Sequence, residues 1–309
     1  MKRLAWILPL VLIVFASCKK DVPPPVEETL ERYTIAPSAT DNAYNSGEKR
    51  HLIFYNNETN VNKLLLFFGG TYSNPETYET FCEHAAELGC HVISLSYPNN
   101  VAAASFKESD NIDAFDNFRD EMCFGNPVSD AVNVNELNSV VTRSTKLLQH
   151  LAAQYPTQNW GQYLIDGNAP DWSKIMLGGH SQGSGHACYI AKTIVVNRVL
   201  MFSGPNDYST HFEAPATWLS LSGVTPVASQ YAFLHANDEV VPYEYQLANI
   251  RAIGVIGAAD TTTLMDDLSG AYNNKNAYHT SISALTEHGS TLGGNWRLPN
   301  FWTYLLGEN

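Results

Sequence analysis

An α/β fold with a mostly parallel central sheet flanked by helices is what this chain predicts, on three observations. Short runs of β-formers alternate with longer runs of helical period, the apolar runs are evenly spaced along 309 residues, and no internal repeat appears. That length suits one large domain with a sizeable core. Strands separated by helices run parallel and are covered on both faces, so chemistry gathers in the loops beyond the C-terminal ends of the strands.

The chain opens with Lys2 and Arg3, an apolar run from Leu4 to Ala16, and Ser17-Cys18. The run is too short to span a bilayer, which takes about 20 helical residues, and reads as a signal peptide over residues 1–17. Phe15-Ala16-Ser17-Cys18 resembles a bacterial lipobox. The resemblance implies cleavage before Cys18, lipidation of its thiol and, with Lys19-Lys20-Asp21 following, a cell-envelope lipoprotein of the outer membrane. An ordinary secretory signal cut nearby is the alternative. Residues 18–45, with Pro23-Pro24-Pro25 and Glu27-Glu28, read as a lipidated cysteine and a stiff polar tether, and residues 46–309 as the folded domain. The formal charge of −13, with 18 Lys and Arg in all, argues against nucleic acid as a partner. The same charge leaves a membrane contact only through the lipid anchor.

Beyond Cys18 the cysteines are Cys82, Cys90, Cys123 and Cys188, an even number in a disulfide-permissive compartment. Cys82 and Cys90 could pair, or all four could be buried thiols. No Cys-x-x-Cys or His-x-x-x-His spacing points to a metal.

Strands are expected at His51 to Tyr55, Leu64 to Phe68, His91 to Ser96, Lys174 to Leu177, Arg198 to Phe202 and Gln230 to Leu234. Helices are expected from Pro75 to Leu88, stopped by Gly89, and from Leu137 to Tyr155, stopped by Pro156. Two more are expected from the residues after Ser181 to about Val195, and from Tyr243 to Ile253. Residues 101–134 lack clear periodicity and read either as a cap over the site or as a surface excursion. Within them, the acidic stretch Asp110 to Asp120 reads as a solvated helix face rather than a calcium loop.

Gly179-His180-Ser181-Gln182-Gly183 is a G-x-S-x-G pentapeptide between a strand and a helix start, the context of a nucleophile elbow. A serine hydroxyl needs a general base, usually histidine, which a carboxylate orients. In the order Ser, acid, His, two aspartates sit just past a strand, Asp238 and Asp207. Asp238 is preferred, since it follows the strand two beyond the elbow; Asp207 in Gly204-Pro205-Asn206-Asp207 has the setting of a turn residue. For the base, His288 follows the run His279 to Leu285 and would lie at the catalytic edge if that run is a strand in the common direction, whereas His279 would lie at the other edge. Two backbone N–H groups are needed for an oxyanion, one from Gln182 and one from Gly70 or Thr71 after the strand Leu64 to Phe68. Tyr72, His180 and Trp172 are candidate substrate-lining residues, as is Trp218.

These stations resemble the α/β-hydrolase fold over roughly residues 50–309. Phe118-Arg119, Val128-Ser129-Asp130, Asp171-Trp172-Ser173, Gly179 to Ala187 and Phe202-Ser203-Gly204-Pro205 look like a group of bacterial secreted hydrolases of undefined substrate. The resemblance implies a Ser181, Asp238, His288 triad and brings no substrate with it; acyl transfer from carboxylic esters, small or polymeric, with no cofactor implied, is the expectation drawn from the triad. Lipase, polyesterase or peptidase activity on the same fold, or a silent surface-binding protein, are the alternatives.

Overall fold

The alternating apolar runs assemble into a nine-stranded sheet in the computed structural model, which describes residues 29–45, 48–266, 272, 275–293 and 298–307. Its strands are β1 (Leu30–Ile35), β2 (His51–Asn56), β3 (Leu64–Phe68), β4 (His91–Leu95), β5 (Ile175–His180), β6 (Arg198–Phe202), β7 (Gln230–His235), β8 (Thr263–Leu264) and β9 (Ala277–Thr280). They lie in the order β1-β2-β4-β3-β5-β6-β7-β9-β8. Only the β1–β2 and β2–β4 pairs are antiparallel; every pair from β4 to β8 is parallel.

The period of two along β3 shows how the layers form. Leu64, Leu66 and Phe68 join one core with residues of α2 (Ala114–Phe124), α3 (Val140–Gln154), α4 (Gln182–Thr193) and α5 (Tyr243–Ile253). Leu65 and Phe67 face the other way, onto α1 (Glu79–Glu87) and α6 (Leu298–Leu306), where Phe81, Phe301 and Trp302 pack. A strand buried on both faces has no need of polar alternation, which is why these runs are continuously apolar. Ser139 caps α3 by accepting the Thr142 N–H, and Gly254 ends α5 at a φ of +90°.

One expectation changes and two open alternatives are decided. The tether does not reach residue 45: Leu30–Ile35 is an edge strand on β2, with Ile35 buried and the Tyr33 hydroxyl donating to Gln158 Oε1 at 2.6 Å. An edge strand needs only alternate apolar residues, so six residues next to a Pro- and Glu-rich stretch leave little signal. Residues 101–134 are not a surface excursion throughout, because α2 buries Phe115, Phe118, Arg119, Glu121, Met122 and Cys123. The Glu121 carboxylate then accepts the N–H groups of Val128, Ser129 and Val134 and so organises the loop that follows. All four cysteines of the domain are buried, and Cys82, Cys123 and Cys188 are thiols, so the Cys82–Cys90 bridge does not form. Burial pushes the Cys82 and Cys123 thiols well above the ordinary range, which keeps them protonated.

No helix among the described residues is long and apolar enough to cross a membrane. Residues 1–28, including the lipobox and Cys18, lie outside the described residues.

Candidate active site

The elbow forms where β5 turns directly into α4. Ser181 sits there at φ +55° and ψ −120°, outside the regions an L-residue prefers, and this costs about 1–3 kcal/mol that the surrounding structure must offset. The flanking glycines are required by close approach. A Cβ on Gly183 would lie 2.0 Å from the Phe68 carbonyl oxygen, and one on Gly179 would lie 2.2 Å from the Gly183 carbonyl carbon. Ser181 is pinned by its N–H, which donates to Phe202 O at 2.8 Å, and by its C=O, which accepts from Ser184 N at 3.1 Å.

Past β7, Asp238 turns toward His288. Its Oδ2 accepts from His288 Nδ1 at 2.7 Å and from Gln246 Nε2 at 2.9 Å, while Oδ1 accepts the Val240 and Val241 N–H groups at 2.9 and 2.8 Å. Burial would raise the Asp238 pKa, but the hydrogen bond and charge of His288 and the two backbone donors outweigh it, so the carboxyl lies below its ordinary range. With Nδ1 committed to Asp238, the ring's Nε2 is the atom left for proton transfer.

The loop that carries His288 is tied to its surroundings at several points. Glu239 Oε2 accepts the His288 N–H at 2.9 Å, and buried His235 meets Ile282 O at 3.1 Å and Glu287 Oε2 at 3.0 Å. The His288 carbonyl accepts from Ser203 Oγ at 2.7 Å and from His180 Nε2 at 2.9 Å. The strand before this loop is shorter than the run His279 to Leu285, ending at Thr280, but β9 does run parallel to β7. His279 therefore stays in the sheet, bonded to Thr262 Oγ1 at 2.8 Å, and of the two it is His288 that lines the cavity.

Asp207, the other acid considered, is fully buried and faces away from the histidine. Arg119 Nε donates to its Oδ2 at 2.8 Å and Arg119 Nη2 to its Oδ1 at 2.5 Å, and Trp218 Nε1 donates to Oδ2 at 2.8 Å. Arg119 Nη1 also donates to the Gln182 carbonyl at 2.7 Å, so this ion pair clamps the first turn of α4 from beneath. Trp218 is accordingly a core residue rather than part of a binding face. Phe118-Arg119 is among the pairs that carry the resemblance, but no local pattern marks Arg119 as buried, since its partners come from the loop after β6 and from α4, more than 60 residues along the chain.

Ser181, His288, Gln182, Gly70, Thr71, Tyr72, His180 and Asn206 open into one cavity of about 370 Å³, completed by Tyr78, Ala102, Ala103, Ala104, Val240 and Val241. The start of the 101–134 segment thus forms a wall of the site while α2 joins the core. Gln182 Oε1 draws the walls together, accepting from Thr71 Oγ1 at 2.8 Å and from Ala103 N at 2.9 Å.

The backbone donors sort themselves by occupancy. Gly70 N–H is taken by the Tyr78 hydroxyl at 2.8 Å, which removes it as an oxyanion donor. Among the described residues, the N–H groups of Thr71 and Gln182 make no hydrogen bond, and both residues line the cavity. His180 explains why Tyr78 is held so. Its Nε2 faces the His288 carbonyl and must donate, leaving Nδ1 to accept from Tyr78 Oη at 3.3 Å. Burial, together with the nearby His288, pushes the His180 pKa down to about 4, so the ring is neutral as this arrangement requires.

Tyr72 stands at the mouth of the cavity, 70% exposed and at φ +59°. Trp172 does not line the site: it lies just before β5, at the opposite edge of the sheet, over Leu64, Leu148 and Ile175. Among the described residues no cluster could hold a metal ion, and the acidic stretch 110–120 is no exception. The Ser181 hydroxyl accepts from Asn206 Nδ2 at 2.9 Å, and among the described residues it makes no bond to His288 in this resting geometry. Asn206 was not singled out from the sequence; its signal was a polar side chain in the first residues past the C-terminal end of a strand.

No protein-family model matches this chain, and a search of curated proteins finds no match.

Proposed function

We propose that this chain is a serine hydrolase of the α/β-hydrolase fold, cleaving carboxylic esters through an acyl-enzyme. The observation that carries the reading is His288, oriented by Asp238, in the same cavity as a strained, strand-to-helix Ser181. The order Ser, Asp, His along the chain, and a pair of unoccupied N–H groups from the residue after Ser181 and from the loop after β3, support it further.

In this scheme Ser181 Oγ attacks the ester carbonyl carbon as His288 Nε2 takes its proton. Asp238 stabilises the imidazolium through Nδ1. The carbonyl oxygen, now an alkoxide, accepts from the Thr71 and Gln182 N–H groups. Collapse expels the alcohol, which takes the proton back from His288, and water then repeats the sequence on the acyl-enzyme. Among the described residues the cavity presents Ala102, Ala103, Ala104, Val240, Val241 and Tyr72 and no lysine, arginine or carboxylate, a lining that favours uncharged acyl groups. The same reading places the enzyme at the cell envelope, tethered through a lipidated Cys18.

The test uses a short p-nitrophenyl ester and a fluorophosphonate probe. Ser181→Ala and His288→Ala abolish turnover and Ser181→Ala abolishes labelling, whereas His279→Ala keeps both. Turnover that survives Ser181→Ala sinks the reading, and a wild-type protein inert to every ester and serine probe points instead to a silent binding protein.

A further inference from the structure

Asn206 is held in place more firmly than a pocket-lining turn residue needs to be. Its loop follows β6, and both neighbours are fixed: the Pro205 carbonyl accepts from Asn249 Nδ2 at 2.9 Å, and Asp207 is clamped by Arg119 and Trp218. The Asn206 carbonyl accepts the Tyr208 N–H at 3.0 Å. Its side chain, 8% exposed, donates Nδ2 to Ser181 Oγ at 2.9 Å, and its Oδ1 has no hydrogen-bond partner among the described residues. The amide's side-chain hydrogen bonding is therefore directed at the nucleophile alone.

The geometry points to Asn206 as a further catalytic residue that stabilises negative charge on Ser181 Oγ itself, an inference that rests on the serine-hydrolase reading above. A hydroxyl oxygen has two lone pairs and one proton. Asn206 occupies one lone pair and leaves the proton free to pass to His288. As that proton departs, Oγ acquires alkoxide character and the amide bond becomes charge-assisted, roughly twice as strong as the neutral bond of the resting state. An interaction that strengthens only toward the transition state raises kcat rather than lowering KM. The contribution acts twice, because Oγ is the attacking atom in acylation and the leaving atom in deacylation, where the departing alkoxide is protonated by His288. This differs from the Thr71 and Gln182 N–H groups, which serve the carbonyl oxygen of the substrate.

The test compares wild type, Asn206→Leu and Asn206→Asp by fluorophosphonate labelling rate and by steady-state ester hydrolysis, with thermal melts to establish folding. Asn206→Leu, close in volume but without a donor, is expected to lower both the labelling rate and kcat by about tenfold to a hundredfold with KM little changed, the range for a hydrogen bond to a charged group. Asn206→Asp supplies a donor only while its carboxyl is protonated, so its labelling rate relative to wild type should fall as pH rises; a purely structural role gives a ratio independent of pH. A folded Asn206→Leu that labels as fast as wild type, or faster, overturns the proposal, as does a flat Asn206→Asp ratio should the Leu variant not fold. If the wild type itself does not label, the serine-hydrolase reading fails and this inference with it; labelling wild type with an unaffected Asn206→Leu removes this inference alone.

Discussion

Asp207 and Asp238 stand at the same edge of the same sheet, each a few residues past a buried parallel strand, and they do different work. Asp238 meets a histidine on a distant loop and keeps two backbone donors on its other oxygen, so it can hold an imidazole in one orientation and balance its charge. Asp207 meets a buried guanidinium on α2 and an indole, and its charge serves to keep Arg119 against the first turn of α4. The role of a carboxylate here follows from the cation it faces, not from its position after a strand.

Substitution of each acid by its amide separates the two roles. Asp238→Asn is expected to lower kcat roughly 10⁴-fold while the protein melts near wild type, because the imidazole loses its orientation and charge partner but the loop keeps an acceptor. Asp207→Asn leaves a buried arginine without its counter-charge and is expected to cost about 3–5 kcal/mol in a urea melt, while molecules that remain folded still label with the fluorophosphonate. If Asp207→Asn stays stable and loses labelling, the assignment of the two acids is reversed.

A smaller effect distinguishes the surroundings of the two acids by pH. His180 lies beside the Asp238–His288 pair and His186 beside Arg119, and burial lowers the pKa of both, His180 to about 4. A histidine buried neutral adds stability in full above its ordinary value near 6.5, and that stability is lost as pH falls toward the folded-state value. Melting temperature should therefore decline between pH 6.5 and 4, and His180→Gln or His186→Gln should each flatten the decline. A slope unchanged in both variants would show that neither ring is held neutral.

Much of this arrangement could be read from residues alone, for definite reasons. Continuous apolar runs mark strands covered on both faces, and Tyr243 to Ile253 has both helical period and a glycine stop, so its bounds coincide with the helix formed. The elbow was legible because a strained turn between a strand and a helix tolerates so few residue types around Ser181. Leu30–Ile35 and Ala114–Phe124 were not legible: the first is half-exposed, and the second is an 11-residue helix whose charged face hides Arg119 and Glu121, which are buried only because partners arrive from elsewhere.

Local chemistry in the chain thus determined the sheet, the elbow, and the short list of acids and bases that could serve it. Tertiary structure alone decided between Gly70 and Thr71, since a tyrosine eight residues on already occupies the first N–H. It also brought Asn206 onto the serine oxygen. The physical reason is common to both: a backbone pattern fixes where a residue stands along its strand, but a hydrogen bond depends on which groups the fold brings within about 3 Å, and no local pattern relates those groups.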